Sequence, residues 1–271
     1  MQKNPTDWQD NIVLVTGGSN GLGKVIATTF AEHGAKLAIV GLERSDVEQT
    51  AEEFKSHGYQ ALPLVADVTK PEDCQRVVTQ TVEHYGALDV LVNAAGRTHR
   101  GRLMQTPLDE FDSLWRLNVM GTIACTQAAY AQLVARRGHV VNIGSLAAKS
   151  ASRWVGGYPI SKHAVAAFSQ QLRLESKEDG LHVLLVCPGP VKRDNPRLYP
   201  LKNAEGIPES ALMPGGGVKV GKIDPKFLAT RILRACAKRQ PEIVIPSKAR
   251  ILFAVEQLCP KLGDWLVTKF T

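Results

Sequence analysis

No stretch of the 271 residues reaches the roughly eighteen uninterrupted apolar residues that a membrane-spanning helix needs. The opening segment, Met1 to Asp10, is polar and lacks the apolar centre of a signal peptide, so a soluble, cytoplasmic protein is expected. Cysteine is sparse, odd in number and scattered (Cys74, Cys125, Cys187, Cys236, Cys259), with no CxxC pair. That excludes a disulfide framework and a zinc ribbon, and fits reduced, buried thiols. None of the seven histidines stands at ligand spacing with other donors, so no metal site is expected. No repeat at solenoid period is present. Aromatic residues make up 6% of the chain, yet 44% of it is hydrophobic, enough for a core covered on two sides.

The net charge of +7 is unevenly placed. Residues 1–190 hold 18 Lys and Arg against 19 Asp and Glu, whereas residues 191–271 hold 15 against 7. The basic excess therefore belongs to the last third. A solvated surface is the favoured reading of it, and attraction to an anionic substrate or membrane surface is the alternative.

Apolar runs and helical periods alternate from the start. Asn11–Thr16, Lys36–Gly41, Ala61–Ala66, Leu88–Val92, Gly138–Gly144, His182–Val186 and Glu242–Pro246 read as strands. Between them Leu22–His33, Asp46–His57, Pro71–Tyr85, Pro107–Arg137, Tyr158–Lys177 and Asp224–Arg239 read as helices, with an interruption expected near Gly121. Strands apolar throughout and separated by helices imply a parallel sheet covered on both faces, a doubly wound α/β fold. Residues 1–271 read as a single domain, in which Pro- and Gly-rich residues 189–223 form an irregular substrate lid. Residues 247–271 form an amphipathic tail broken at Pro260, expected to pack on the body or a partner subunit in preference to an anionic membrane.

The first strand runs into Thr16-Gly17-Gly18-Ser19-Asn20-Gly21-Leu22-Gly23 and then a helix. Glycine permits a sharp turn with no Cβ between backbone and pyrophosphate, and the helix N-terminus offers unpaired N–H groups to phosphate. This GxxxGxG spacing after Thr resembles the short-chain dehydrogenase/reductase family, over roughly residues 10–190. The resemblance implies an NAD(P) site. Asp67 and Val68 stand where the family binds adenine. Asn93-Ala94-Ala95-Gly96 matches the family's NNAG turn beside the ribose, with Ala94 in place of the second Asn. Pro188, Gly189 and Val191 match its turn beside the nicotinamide, and Arg193 departs from the usual Thr or Ser. After the second strand stand Gly41 and Leu42, where an Asp would bind the ribose 2′-hydroxyl. Its absence favours NADP(H) over NAD(H), with Arg44 and Asn20 near the phosphate, while Glu43 lies close enough to supply the carboxylate of an NAD(H) site.

Tyr158 and Lys162 are one helical turn apart on one face. A lysine ammonium there favours the phenolate, and a phenol so tuned exchanges protons with a carbonyl or alcohol oxygen. Ser145 follows the fifth strand, at the sheet edge that lines ligand crevices, and stands thirteen residues before Tyr158 as in the family; it would bind the substrate oxygen. Asn118 matches the family's helix Asn, which holds a water in a proton relay to Lys. The catalytic set is thus Asn118, Ser145, Tyr158 and Lys162, in an oxidoreductase that moves hydride between nicotinamide and a ketone or secondary alcohol. Two rivals are a catalytically silent nucleotide-binding regulator and an isomerase or dehydratase using the same Tyr. Expected partners are a small substrate, with an anionic group (for which Arg97-Thr98-His99-Arg100-Gly101-Arg102 is a candidate) or a lipid-like one, and further copies of the chain in a homodimer or homotetramer. Nucleic acid is not expected.

Overall fold

The computed structural model describes residues 7–192, 207–212 and 220–270. Seven parallel strands form one sheet: β1 (Ile12–Thr16), β2 (Lys36–Gly41), β3 (Ala61–Val65), β4 (Val90–Asn93), β5 (His139–Ile143), β6 (His182–Pro188) and β7 (Glu242–Ile245), in the order β3-β2-β1-β4-β5-β6-β7. The order reverses between β1 and β4, and ligands of open α/β sheets bind at the carboxyl ends of strands beside such a reversal.

Side-chain alternation along the strands explains the two layers of helix. Val13, Val15, Leu37, Ile39, Val90 and Val92 face one side, where they meet Ile26 and Phe30 of α1 (Gly21–Glu32). Ile12, Leu14, Ala38, Val40 and Leu91 face the other, against Val77 and Val78 of α3 (Pro71–Tyr85). α2 (Arg44–Ser56) buries Val47 and Phe54. Burial of one such side chain stabilises by about 1.5–3 kcal/mol, so every strand residue turned inward contributes to holding a helix.

The helix expected over Pro107–Arg137 is divided. α4 (Leu108–Trp115) and α5 (Gly121–Ala135) flank a π-helical turn at Arg116–Met120, so the interruption lies just before Gly121. Gly121 lies against β3's exit: a Cβ there would sit 3.0 Å from Val68 Cγ2. The Thr122 hydroxyl donates to the Asn118 carbonyl at 2.9 Å, a bond of the kind that bends helices. The remaining helices are α6 (Tyr158–Glu175), α7 (Glu209–Leu212), α8 (Pro225–Ala237), α9 (Ala249–Leu258) and α10 (Pro260–Phe270). α8 starts with Pro225 and with Asp224 accepting from the Phe227 N–H at 2.8 Å, a side-chain cap. Residues 193–206 and 213–219 of the expected lid, Arg193 among them, lie outside the described residues.

At the amino ends of β5 and β6, the topology gathers what linear spacing had hidden. Donor atoms of His139, His182 and Cys236 lie within 4.8 Å of one another, and the two histidine Nδ1 atoms are 2.8 Å apart. His182 Nε2 faces the Gln240 carbonyl at 2.8 Å and so carries the hydrogen; His182 Nδ1 then accepts from His139. Burial pushes His139 down to about 3 and His182 to about 4. Both stay neutral in the folded chain where the unfolded chain, with histidines near 6.5, takes up protons. Stability is therefore lost as pH falls from about 6.5 toward the folded values, by at most about 1.4 kcal/mol per pH unit for each histidine. Thermal melts between pH 7 and 4 test this: the decline in Tm is expected to be steeper in the wild type than in a His139→Gln/His182→Gln variant, and equal slopes would remove the pair as the cause.

Candidate active site

The carboxyl ends of β1 and β4 are tied by one hydroxyl. Thr16 Oγ1 accepts from the N–H groups of Ala94 and Ala95, each at 3.2 Å. Gly17, with φ +65°, passes so close to that turn that a Cβ would lie 3.0 Å from Ala95 Cα and N. A Cβ at Gly23 would lie 2.2 Å from the Gly17 carbonyl oxygen, so the first turn of α1 closes on the loop only with glycine there. Gly21, with φ +52°, meets nothing within 4 Å where its Cβ would be. The loop is rigid on its inner side and open on its outer side, in front of the unpaired N–H groups of α1. That cradle fits a pyrophosphate, with Ser19, Asn20, Gly21, Leu22 and Gly23 along it.

At the end of β2, a Cβ on Gly41 would lie 2.6 Å from both Ser19 Oγ and Val47 Cγ2, which is why no carboxylate stands there. Leu42 is exposed beyond it. Glu43 is the N-cap residue of α2, and Arg44 follows, exposed, with Nη1 3.0 Å from Glu48. Asn20 Nδ2 donates to Asp46 at 2.6 Å, which fixes Asn20 over the start of the same helix. After β3, Asp67 Oδ1 accepts from the Thr69 N–H and hydroxyl at 3.0 and 2.7 Å, and Val68 is buried against Gly121.

A row of buried amides crosses below the crevice. Asn93 Nδ2 donates to Thr126 Oγ1 at 3.0 Å and to Asn142 Oδ1 at 2.9 Å, and Asn142 Nδ2 donates to Ser169 on α6 at 2.9 Å. Asn118, wholly buried in the π turn, accepts from the Arg97 N–H at 3.0 Å. Its Nδ2 donates to the Arg97 carbonyl at 2.9 Å and to Ser161 Oγ at 3.0 Å. The Asn118 side chain thus clamps the loop following Gly96 to the first turn of α6. Gly96 itself makes room: a Cβ there would lie 2.9 Å from Asn118 Oδ1 and 3.7 Å from Lys162 Nζ.

Lys162 is buried, and its Nζ donates to the Ile143 carbonyl at 2.7 Å. Burial lowers it from the ordinary 10.5 to about 8. The Nζ lies 5.9 Å from the centre of the Tyr158 ring, one turn away. Ser145 extends from β5, its Oγ accepting from the Ala147 N–H at 3.1 Å. Cys187, on the adjoining β6, is pushed up to about 12 by burial and stays a thiol. Pro188 ends β6, the Gly189 N–H donates to Ile245 O at 2.7 Å, and Val191 bridges to Ile223. The structure therefore brings Asn118, Ser145, Tyr158 and Lys162 to one end of the sheet, beside the glycine turn.

The basic run of the following loop is engaged within the protein. Arg97 meets Glu110 through its two terminal guanidinium nitrogens, Nη1 and Nη2, at 2.5 and 2.9 Å, and holds its carboxyl below the usual range. Arg100 is buried with Nη1 on Thr98 and the His99 carbonyl, and Arg102 stacks 4.7 Å above Trp154. Glu110 and Trp154 lie 13 and 52 residues along the chain from Arg97 and Arg102, beyond the reach of a local reading, whereas Arg100 bonds its own immediate neighbours. The Ser161 hydroxyl, which links Asn118 to the Tyr158 carbonyl at 3.0 and 2.8 Å, carried no sequence signal of its own.

Comparison with known proteins agrees with this architecture. Curated relatives include the probable oxidoreductase EphD of Mycobacterium tuberculosis, 29% identical over 263 residues, covering 93% of this chain. The chain spans only 44% of that protein's length. The BbsD subunit of (2S)-[(R)-hydroxy(phenyl)methyl]succinyl-CoA dehydrogenase from Thauera aromatica is 34% identical over 187 residues, 67% of this chain and 73% of that one. Diacetyl reductase of Staphylococcus epidermidis is 32% identical over 183 residues, 67% and 71% of the two chains. The crystal structure of a short-chain dehydrogenase/reductase from Burkholderia phymatum with NAD matches at TM-score 0.80 and 21% identity, covering 93% and 96%, and so shares the fold. The family model described as short chain dehydrogenase matches residues 11–198, from the first strand past Lys162, and the chain belongs to that family.

Proposed function

We propose that the chain is an NAD(P)-dependent oxidoreductase that interconverts a ketone and a secondary alcohol. One observation carries the reading: a buried ammonium, Lys162, stands a turn from the Tyr158 ring at the end of the sheet that also bears the glycine cradle and Ser145. When bound, the nicotinamide supplies or accepts the hydride. The chain's own residues do the rest. Ser145 Oγ orients the substrate oxygen and holds the charge that develops on it. Tyr158 passes a proton to that oxygen in reduction and takes it back in oxidation. Lys162, cationic below about 8, favours the phenolate form and holds the nicotinamide ribose. Asn118 keeps α6 and the loop after Gly96 in register, so Tyr158 and Lys162 meet the cofactor at fixed positions. The reductase and dehydrogenase relatives support a carbonyl or hydroxyl substrate. NADP(H) is the favoured cofactor, because Gly41 leaves the ribose 2′ position without a carboxylate and exposed Arg44 stands near it.

Replacing Tyr158 by Phe is expected to lower kcat by roughly a hundredfold or more with cofactor affinity retained. Assays of NAD(P)H absorbance over a panel of ketones and alcohols check it. Near-normal turnover would overturn the assignment, and conversion of substrate without net NAD(P)H change would point to an isomerase or dehydratase.

Arg44→Ala is expected to raise KM for NADPH roughly three- to tenfold, a modest effect because the guanidinium is solvated, and to leave KM for NADH unchanged. A wild-type preference for NADH that Glu43→Gln abolishes would assign the site to the carboxylate instead.

Cofactor affinity is expected to weaken as pH rises through about 8, where Lys162 loses its proton, and to be weak and flat with pH in Lys162→Met. Fluorescence titration with NADPH from pH 6.5 to 9.5 measures both; parallel curves would exclude Lys162 as a cofactor ligand.

A further inference from the structure

α9 and α10 form a hairpin laid on the body of the protein. The close point is Gly263, where a Cβ would lie 2.7 Å from Glu256 Cα. α9 faces inward through Phe253, packed near Val119 and Val165, and through Glu256, which accepts from the Ser150 hydroxyl at 2.7 Å. α10 faces inward through buried Val267, and its Thr268 carbonyl accepts from Arg153 at 3.4 Å.

The opposite sides of both helices are apolar and uncovered. On α9, Ile251, Ala254 and Leu258 stand at i, i+3 and i+7, with Ile251 69% and Leu258 87% exposed. On α10, Leu262 and Trp265 stand at i and i+3, 47% and 55% exposed. Basic residues frame them: Lys248, Arg250, Lys261 and Lys269 are exposed, and Lys269 Nζ stands 4.9 Å from the centre of the Trp265 ring. Of the two acidic residues in the hairpin, Glu256 is turned inward and Asp264 alone is exposed. Among the described residues no helix is long and apolar enough to cross a membrane, so contact of this face with a bilayer would be interfacial.

We propose that the α9–α10 hairpin docks the protein on an anionic lipid surface, with Ile251, Leu258, Leu262 and Trp265 entering the interface and Lys248, Lys261 and Lys269 meeting headgroup phosphates and carboxylates. Charge decides between occupants. A second copy would set one basic face against another, whereas an anionic bilayer is complementary to it. Tryptophan with flanking lysine is the side-chain pair that suits the boundary between headgroup and acyl chain. The hairpin rests on Ser150 and Arg153, in the loop that joins Ser145 to Tyr158, so docking brings that loop close to the bilayer. The proposal does not depend on the chemistry assigned to Tyr158.

Co-sedimentation of the full chain with phosphatidylcholine vesicles, with and without phosphatidylserine, tests it. The wild type is expected to bind the phosphatidylserine vesicles, less so in high salt. A Leu258→Ser/Leu262→Ser/Trp265→Ser variant, altered only at exposed positions, is expected to bind roughly tenfold or more weakly while keeping its circular dichroism and NADPH affinity. Lys261→Glu/Lys269→Glu is expected to lose binding as well. Absence of wild-type binding, or equal binding by the serine variant, overturns the proposal. So does a wild-type dimer that ignores vesicles and that the serine substitutions dissolve, an outcome that would give the face to a second copy. Turnover of a water-soluble ketone, measured alongside, keeps a failure of docking separate from a failure of the active-site reading.

Discussion

Everything at the carboxyl edge of the sheet depends on two backbone turns approaching closer than any side chain would allow. Gly17 lies against Ala95, Gly23 against Gly17, and the Thr16 hydroxyl collects two N–H groups of the β4 turn. A methyl group at Gly23 would overlap a carbonyl oxygen, so it would lift α1 from the loop and turn its N-terminus away from the crevice. The same approach sets the path of the chain after Gly96, and through Asn118 it sets the height of α6.

Above that contact, rigidity is conveyed by polar groups with no alternative partner. Asn93, Asn142 and Ser169 form a buried row beneath the crevice, and Asn118 uses both ends of its amide on Arg97 and Ser161. Buried groups of this kind are costly when broken, so they hold one arrangement instead of several. The five-residue π turn is what brings the Asn118 side chain to this point, and irregular helix of that kind is common at functional sites. Burial that fixes Lys162 also brings its titration down to about 8, so packing and proton chemistry have one cause.

The last third of the chain follows a different logic. α8 is core, with Leu228, Ile232 and Cys236 fully buried. α9 and α10 are held by Phe253, Val267 and a few hydrogen bonds, and leave Ile251, Leu258, Leu262 and Trp265 in solvent. Their basic excess was visible as a composition, while the alignment of Leu258, Leu262 and Trp265 outward became visible only once the inward faces were known.

Local pattern alone determined the strands, most helices, the glycine turn and the i, i+4 placement of Tyr158 and Lys162, because these follow from periodicity and backbone stereochemistry over a few residues. Helix ends shifted by only a residue or two, and the interruption near Gly121 was legible because a glycine stands there within a helical run. Tertiary structure decided what depends on residues far apart in the chain. It turned Arg97 to Glu110 and Arg102 to Trp154, gave Asn118 its three side-chain hydrogen bonds to Arg97 and Ser161, and left no room for a side chain at Gly41. It also joined His139 to His182 and buried Lys162. Hydrogen-bond pairing and desolvation are properties of a neighbourhood, and a linear chain does not state its neighbourhoods until it folds.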